Sequence, residues 1–356
     1  MADFKKAQLI VSAYSLPGEL REVKPLGNGH INDTSLLIFE DGGKVSKYVL
    51  QKINKTVFRH PEELMENIVG VTGFIREKVK ERGGDPEREV MNVVFAADGK
   101  SFVVDEDGEY FRITKFVDHA VCYEKAEDPE MFSLCGKAFG SFQKTLKDYP
   151  AEKLHETIPG FHNTRVRYQK FEQAVKEDRA GRAENCREEI GYLRSRKELS
   201  EFTMANHEAG KLPLRVTHND TKLNNVLVDE ATGKVLCILD LDTVMPGFSI
   251  YDFGDAIRSG ACTALEDEKD LDRVHCDFSL VEAFQRGFLA GAEGSLTDFE
   301  EESLLMGAIC ITYEQALRFL TDYLEGDPYY KTEYPEHNLV RTRTQIRMVQ
   351  EMEQAR

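Results

Sequence analysis

The sequence predicts an α+β fold of two lobes, a small β-rich lobe with one long helix followed by a larger, mainly helical lobe. Three observations predict it. Extended, alternating runs are confined to the first third, at residues 21–26, 34–39, 48–53, 91–97 and 109–117. A single helical stretch interrupts them, from Pro61 to about Glu81, with proline in its first turn and a Gly-Gly pair just past its end. Near residue 118 the period changes, and helical spacing dominates 130–149, 165–210, 278–292, 299–324 and the C-terminal segment. The order of strands around one helix implies mostly antiparallel hairpins in the first lobe. The expected division is therefore residues 1–117 and 118–356, and a chain of 356 residues is too long for one core.

Composition excludes several classes. A net charge of −17 argues against nucleic acid or an anionic membrane surface as partner. No apolar run has the length of a membrane span. The seven cysteines are scattered without a CxxC pair, so neither zinc nor a disulfide framework is indicated. Reduced thiols suit a cytoplasmic protein. The N-terminal MADFKKAQLIVSAYSLPGEL has a short apolar patch and no small-residue cleavage site, and is expected to form a helix packed on the first lobe.

The chemistry concentrates in residues 216–247, VTHNDTKLNNVLVDEATGKVLCILDLDTVMPG. VLVD (226–229) and VLCIL (235–239) alternate around a short glycine-containing loop, which reads as a hairpin. Such a hairpin places the residue entering its first strand, Asn225, near the residue leaving its second, Asp240. Mg²⁺ takes oxygen ligands, commonly one or two from protein, so Asn225 and Asp240 suit it and Asp242 is placed to reach a second ion. Asp220, in the preceding loop, can orient a hydroxyl and accept its proton; Lys222 can neutralise a transferred phosphoryl group. His218 reads as structural support for the loop.

The H-x-D-x₄-N spacing followed by a hairpin and an Asp twenty residues past the first resembles the aminoglycoside phosphotransferase family of protein-kinase-like enzymes. The match departs from protein kinases, since Asp240 begins DLD instead of DFG and no A-P-E follows, which argues against a protein substrate. GNGHINDT (27–34), LQKIN (50–54), THNDTKLNN (217–225), LDLDTVMPG (239–247), YDFGDAIR (251–258) and RFLTDYLEGD (318–327) are similar to the N-acetylhexosamine 1-kinase branch of that family.

The resemblance implies a bilobal protein-kinase-like fold with Mg²⁺ and ATP in the cleft between lobes and Asp220 as the catalytic residue. It implies transfer to the anomeric hydroxyl of N-acetylglucosamine or N-acetylgalactosamine. Gly27, Asn28 and Gly29 would cover the phosphates, although the third glycine of G-x-G-x-x-G is missing. Lys52 would pair with the α- and β-phosphates, with Lys47 as the alternative, positioned by Glu66, Glu62 or Glu63. The hinge Phe116, Val117 and Asp118 would meet adenine, and His30 would face the acceptor. Arg318 would hold sugar oxygens, unless it forms an exposed ladder with Glu314 and Asp322. Tyr329 or Tyr330, and His162 and Arg165, are further acceptor-side candidates. Asp252 would brace the catalytic loop. A cationic acceptor, an aminoglycoside or choline-like amine, is the rival, as is a non-catalytic nucleotide-binding scaffold.

Overall fold

The computed structural model describes residues 4–27, 32–126 and 128–356. Its packing forms two units. The first is Met1–Cys122 with Lys153–Pro159 and Val226–Met245; the second is Tyr123–Glu152, Gly160–Asn225 and Pro246–Arg356.

In the first unit the main sheet runs in the order Glu19–Pro25, Asp33–Asp41, Lys44–Lys52, Tyr110–Lys115, Val93–Val94, with Val103–Val104 also on Tyr110–Lys115. Every pairing is antiparallel. Asp41 pairs with Lys44, and Gly42 and Gly43 at φ +54° and +85° supply the left-handed pair that a two-residue hairpin requires. Side chains then alternate between faces. Tyr48 and Leu50 join Phe111 and Ile113 on the face that buries Ala7, Ile10 and Val11 of the N-terminal helix Phe4–Val11. The opposite face carries Gln51 and Arg112, with Arg112 Nη1 4.0 Å from Met65 Sδ of the helix Pro61–Glu81. That helix has Pro61 at its start, Glu62 and Glu63 in its first turn and Lys78 and Lys80 in its last, all favourable to its dipole.

A second sheet joins the hairpin strands Val226–Asp229 and Val235–Ile238 to Ala120–Val121, which pairs with Asp229 and Val228. This pairing is why residues 226–245 pack in the first unit, where a single division at 117 assigns them to the second.

Three boundaries differ from the sequence expectation. Only Val93–Val94 of 91–97 pairs, because the Asn92 side chain bonds the carbonyls of Pro86, Glu87 and Val90, and Ala96–Lys100 turns. The 165–210 stretch is three α-helices, Thr164–Glu177, Arg187–Ser195 and Lys197–Glu208. The first stops at Asp178, left-handed at φ 40°, whose carboxylate accepts from Arg182 and Ala183 N–H. The helix expected at 299–324 divides at Ser303 into Asp298–Glu302 and Leu304–Glu325. No helix among the described residues is long and apolar enough to cross a membrane.

The second unit is built on backbone-close helix contacts. A Cβ added at Gly136 or Gly140 of Pro129–Thr145 would lie 2.2 or 2.0 Å from the carbonyl oxygens of Phe284 or Phe288 in Phe278–Ala292. The reverse holds for Gly287 and Gly291 against Ser133 and Lys137 carbonyls, at 1.9 and 2.2 Å. The two helices thus meet through glycines on both sides. Gly254 of Ser249–Gly260 and Gly307 of Leu304–Glu325 form a second such contact. Because these carbonyls belong to rigid helices, Gly287→Ala should cost about 1–3 kcal/mol, a few degrees of Tm. Gly191→Ala, at an exposed position of Arg187–Ser195 with nothing within 4 Å, should leave Tm unchanged or raise it. Paired thermal melts of the two variants check this.

Candidate active site

The loop His218–Asn225 follows the strand Arg215–Thr217 and is held by one helix, Ser249–Gly260. Asp252, fully buried in its first turn, accepts the Asn219 N–H through Oδ1 at 2.8 Å. Its Oδ2 accepts the His218 N–H at 3.0 Å and Gln143 Nε2 at 2.7 Å. Burial pushes the Asp252 carboxyl above the usual carboxylate range, while His218 and these N–H donors work against that shift. The Thr221 hydroxyl donates to the Asp252 carbonyl at 2.6 Å, and Asp255 Oδ2 accepts the Thr221 N–H at 3.0 Å. Arg258 in turn holds Asp255 Oδ1 from Nε and Nη2, at 3.2 and 3.0 Å. Spacing i, i+3 puts both carboxylates on one helix face, so that between them they fix three loop residues, 218, 219 and 221.

Within that frame the chain turns at Asn219, left-handed at φ 64°, a conformation asparagine tolerates. His218, fully buried against the edges of Phe139 and Phe142, accepts the Asp220 N–H through Nδ1 at 3.3 Å. Asp220 itself stays partly exposed, with Oδ1 2.8 Å from Lys222 Nζ. Burial works against the Lys222 charge, but Asp220 outweighs it and holds the ammonium above the ordinary lysine range. Asn225 donates Nδ2 to the Asp220 carbonyl at 2.8 Å, so its amide oxygen is the group it has left to offer a cation.

In the first unit the hairpin register pairs Val226 with Ile238. Asp240 follows two residues later, exposed and left-handed at φ 53°. Asp242 is different. Expected to reach a second ion, it is instead buried, with Oδ1 2.5 Å from Arg112 Nη2 and Oδ2 accepting Asn32 Nδ2 at 2.5 Å. Mg²⁺ takes oxygen ligands; the Asn225 amide oxygen in the second unit and the Asp240 carboxylate in the first are each a donor of that kind, whereas Asp242 is engaged by Arg112 and Asn32.

The expected Lys52–Glu66 pair is not formed. Strand alternation puts Lys52 on the Leu50 face, away from Gln51 and Arg112, and its Nζ lies 3.5 Å from Glu109. Glu66 bonds His155 Nε2 at 2.7 Å, Lys47 pairs with Asp118 at 2.5 Å, and Glu62 takes the Tyr110 hydroxyl. Phe116 gives its N–H to the Lys47 carbonyl at 3.2 Å, and Val117 is half-buried beside it. Gly27 is left-handed at φ 69°; Asn28, Gly29 and His30 lie outside the described residues.

In the second unit Arg318 makes no ladder with Glu314 and Asp322, which are both buried and otherwise engaged. Glu314 holds His162 Nδ1 at 2.9 Å and the Thr164 hydroxyl at 2.7 Å; Asp322 accepts the N–H groups of Tyr329 and Tyr330 at 2.8 and 2.9 Å. Burial works against the Glu314 charge, and His162, Arg167 and Arg318 outweigh it, holding its carboxyl below the usual range. The Arg318 guanidinium lies over the rings of Phe161 and Tyr330, 5.6 and 5.7 Å from their centroids, and donates to Gln315 at 3.0 Å. His162 Nε2 lies 3.4 Å from the Asn219 carbonyl, tying this group to the loop His218–Asn225. Tyr329 is 65% exposed, and Arg165 is taken by Glu201 and Glu208.

Sequence reasoning missed Asp255 and Arg112, and gave Glu314 only as a ladder partner of Arg318. The i, i+3 spacing of Asp252 and Asp255 was a usable signal; an arginine inside an apolar strand was another.

Asp252→Asn replaces an acceptor of three N–H groups by a group with two donors of its own. The variant should lose about 1–3 kcal/mol of stability and, with its loop released, at least roughly tenfold in kcat. Thermal melts and single-turnover rates on the folded variant check both.

The model of the phosphotransferase enzyme family, APH, matches residues 22–291. The chain is similar to the crystal structure of an aminoglycoside phosphotransferase from Alicyclobacillus acidocaldarius, at TM-score 0.59 and 12% identity over 98% of this chain and 95% of that one. It is similar to spectinomycin phosphotransferase, APH(9)-Ia, in complex with ADP and spectinomycin, at TM-score 0.57 and 13% identity over 99% and 97%. It is also similar to Plasmodium vivax ethanolamine kinase, at TM-score 0.52 and 15% identity over 91% and 82%. At these identities the likeness is one of fold, and the fold is kinase-like.

Proposed function

The chain belongs to the phosphotransferase enzyme family, and from that premise we propose that it moves the γ-phosphate of ATP to the anomeric hydroxyl of an N-acetylhexosamine. The observation that carries the phosphotransfer reading is the braced loop, in which Asp220 alone among residues 218–221 is left partly exposed. Asp220 orients the acceptor hydroxyl and accepts its proton as the new O–P bond forms and the bond to ADP breaks. The Asn225 amide oxygen and Asp240 carboxylate would hold Mg²⁺, whose chemistry when bound is to neutralise charge on the phosphates. Lys222, 2.8 Å from Asp220, adds positive charge beside the transferred group. The spectinomycin phosphotransferase structure, which holds ADP, supports a nucleotide as the donor.

For the acceptor, the sequence motifs shared with N-acetylhexosamine 1-kinases support a sugar. So does the group formed by Arg318, Phe161 and Tyr330, since a guanidinium fork suits hydroxyl oxygens and aromatic faces suit a pyranose ring. Burial and then the neighbouring Arg318 charge hold the Arg167 guanidinium below its ordinary range, with Glu314 working against them. The anomeric hydroxyl is also more acidic than an ordinary alcohol, so a carboxylate of modest basicity suffices as its acceptor. The amine alternative draws on the ethanolamine kinase likeness and on the charge of −17.

Two experiments test the reading. Asp220→Asn should lower kcat by roughly 10²-fold or more while ATP still binds; a near-normal kcat would remove Asp220 from the chemistry. With N-acetylglucosamine and ATP, reducing sugar should fall one-for-one with ADP formed, and hot dilute acid should restore it. A product that stays reducing, or turnover only with choline, ethanolamine or aminoglycosides, sinks the sugar 1-kinase reading.

A further inference from the structure

We infer that Arg112 is a positioning residue for phosphotransfer, a buried cation that fixes the metal-binding turn from the inner face of the first unit's sheet, in the place where Lys52 was expected to act. The inference rests on the reading of Asp240 as a cation ligand. Its starting point is register. Gln51 pairs with Arg112, and Lys52 pairs with Phe111, whose ring belongs to the cluster under the N-terminal helix. A lysine at position 52 therefore stands on the outer face, while the face toward the helix Pro61–Glu81 carries a guanidinium from the neighbouring strand.

That guanidinium is almost fully committed. Arg112 is 1% exposed, with Nη2 on Asp242, Nε on Gln51 Oε1 at 3.0 Å and Nη1 against Met65. Asp242 receives Asn32 on its other oxygen, and Asn32 in turn accepts the Asn54 N–H at 2.9 Å. The helix grips the same turn once more, since Asn67 Nδ2 donates to the Val244 carbonyl at 3.1 Å. Residues 240–244 are thus pinned at Asp242 by the sheet and at Val244 by the helix, and the left-handed Asp240 is set by its neighbours.

A buried ion pair is a poor device for stability, because an apolar pair of similar size commonly does as well. Its use is directional. A planar fork with three separate partners fixes the Asp242 carboxylate in position and orientation, and with it a carboxylate two residues earlier. Partners that orient a metal ligand typically set about 10–100-fold in metal affinity, and that is the effect expected here.

The test compares full-length wild type, Arg112→Met and the charge-balanced double variant Arg112→Met/Asp242→Asn. Calorimetry measures ATP binding with Mg²⁺ and with EDTA, and thermal melts establish that each variant is folded. Arg112→Met should bind MgATP at least about tenfold more weakly while metal-free ATP affinity changes less than about threefold, within the spread of indirect effects. If the single variant does not fold, the double variant carries the same expectation. MgATP affinity within threefold of wild type in a folded variant overturns the inference. Equal losses with and without Mg²⁺ overturn it too, by making Arg112 a nucleotide contact. A wild type that gains no ATP affinity from Mg²⁺ would instead remove the phosphotransfer reading on which the inference rests.

Discussion

The loop His218–Asn225 of the second unit depends on a carboxylate that never meets solvent. Asp252 is buried completely, which costs free energy unless its oxygens are met by donors, and the donors are the N–H groups of the loop it organises. The obligation runs both ways. Residues 218 and 219 lie in a turn with a left-handed step, so their N–H groups have no ladder to join, and Asp252 is what satisfies them. The glycine contacts of the surrounding helices serve the same end by keeping Ser249–Gly260 close to Leu304–Glu325, at Gly254 and Gly307. A loop held this way can present Asp220 and Asn225 with little reorganisation, the kind of pre-organisation from which enzymes gain rate.

Much of this was legible in the sequence, and the legible part has a common character. Long periodic segments read correctly: Pro61–Glu81 and Phe278–Ala292 end where their patterns end. The hairpin Val226–Ile238 followed from alternation around a glycine turn. His218 and Asp252 were read as supports, and the structure puts both inside the loop's hydrogen-bond frame.

What the sequence hid is set by partners far away along the chain. Whether a strand lysine faces in or out depends on which neighbours bury Leu50 and Phe111, and those come from the N-terminal helix and from a strand 60 residues later. The grouping of residues 226–245 with the first unit depends on two residues, Ala120 and Val121, too short a strand to signal itself. The helix breaks at Asp178 and Ser303 are local, but a polar residue in a periodic run is a weak mark: the Asp178 carboxylate finds backbone donors, and Ser303 makes no side-chain cap at all. The helix pair at Gly136, Gly140, Gly287 and Gly291 did have a spacing signal, four residues apart in each helix, that goes unnoticed when only apolar periodicity is followed.

The charge distribution completes the physical picture. A chain at −17 repels a polyanion at distance, yet such repulsion is screened beyond about 8 Å at physiological salt. Local charge then decides, and the local cations in each unit come already paired: Lys222 with Asp220, Arg258 with Asp255, Arg112 with Asp242. Paired charges attract a nucleotide weakly but hold fixed directions, so they favour orientation over affinity.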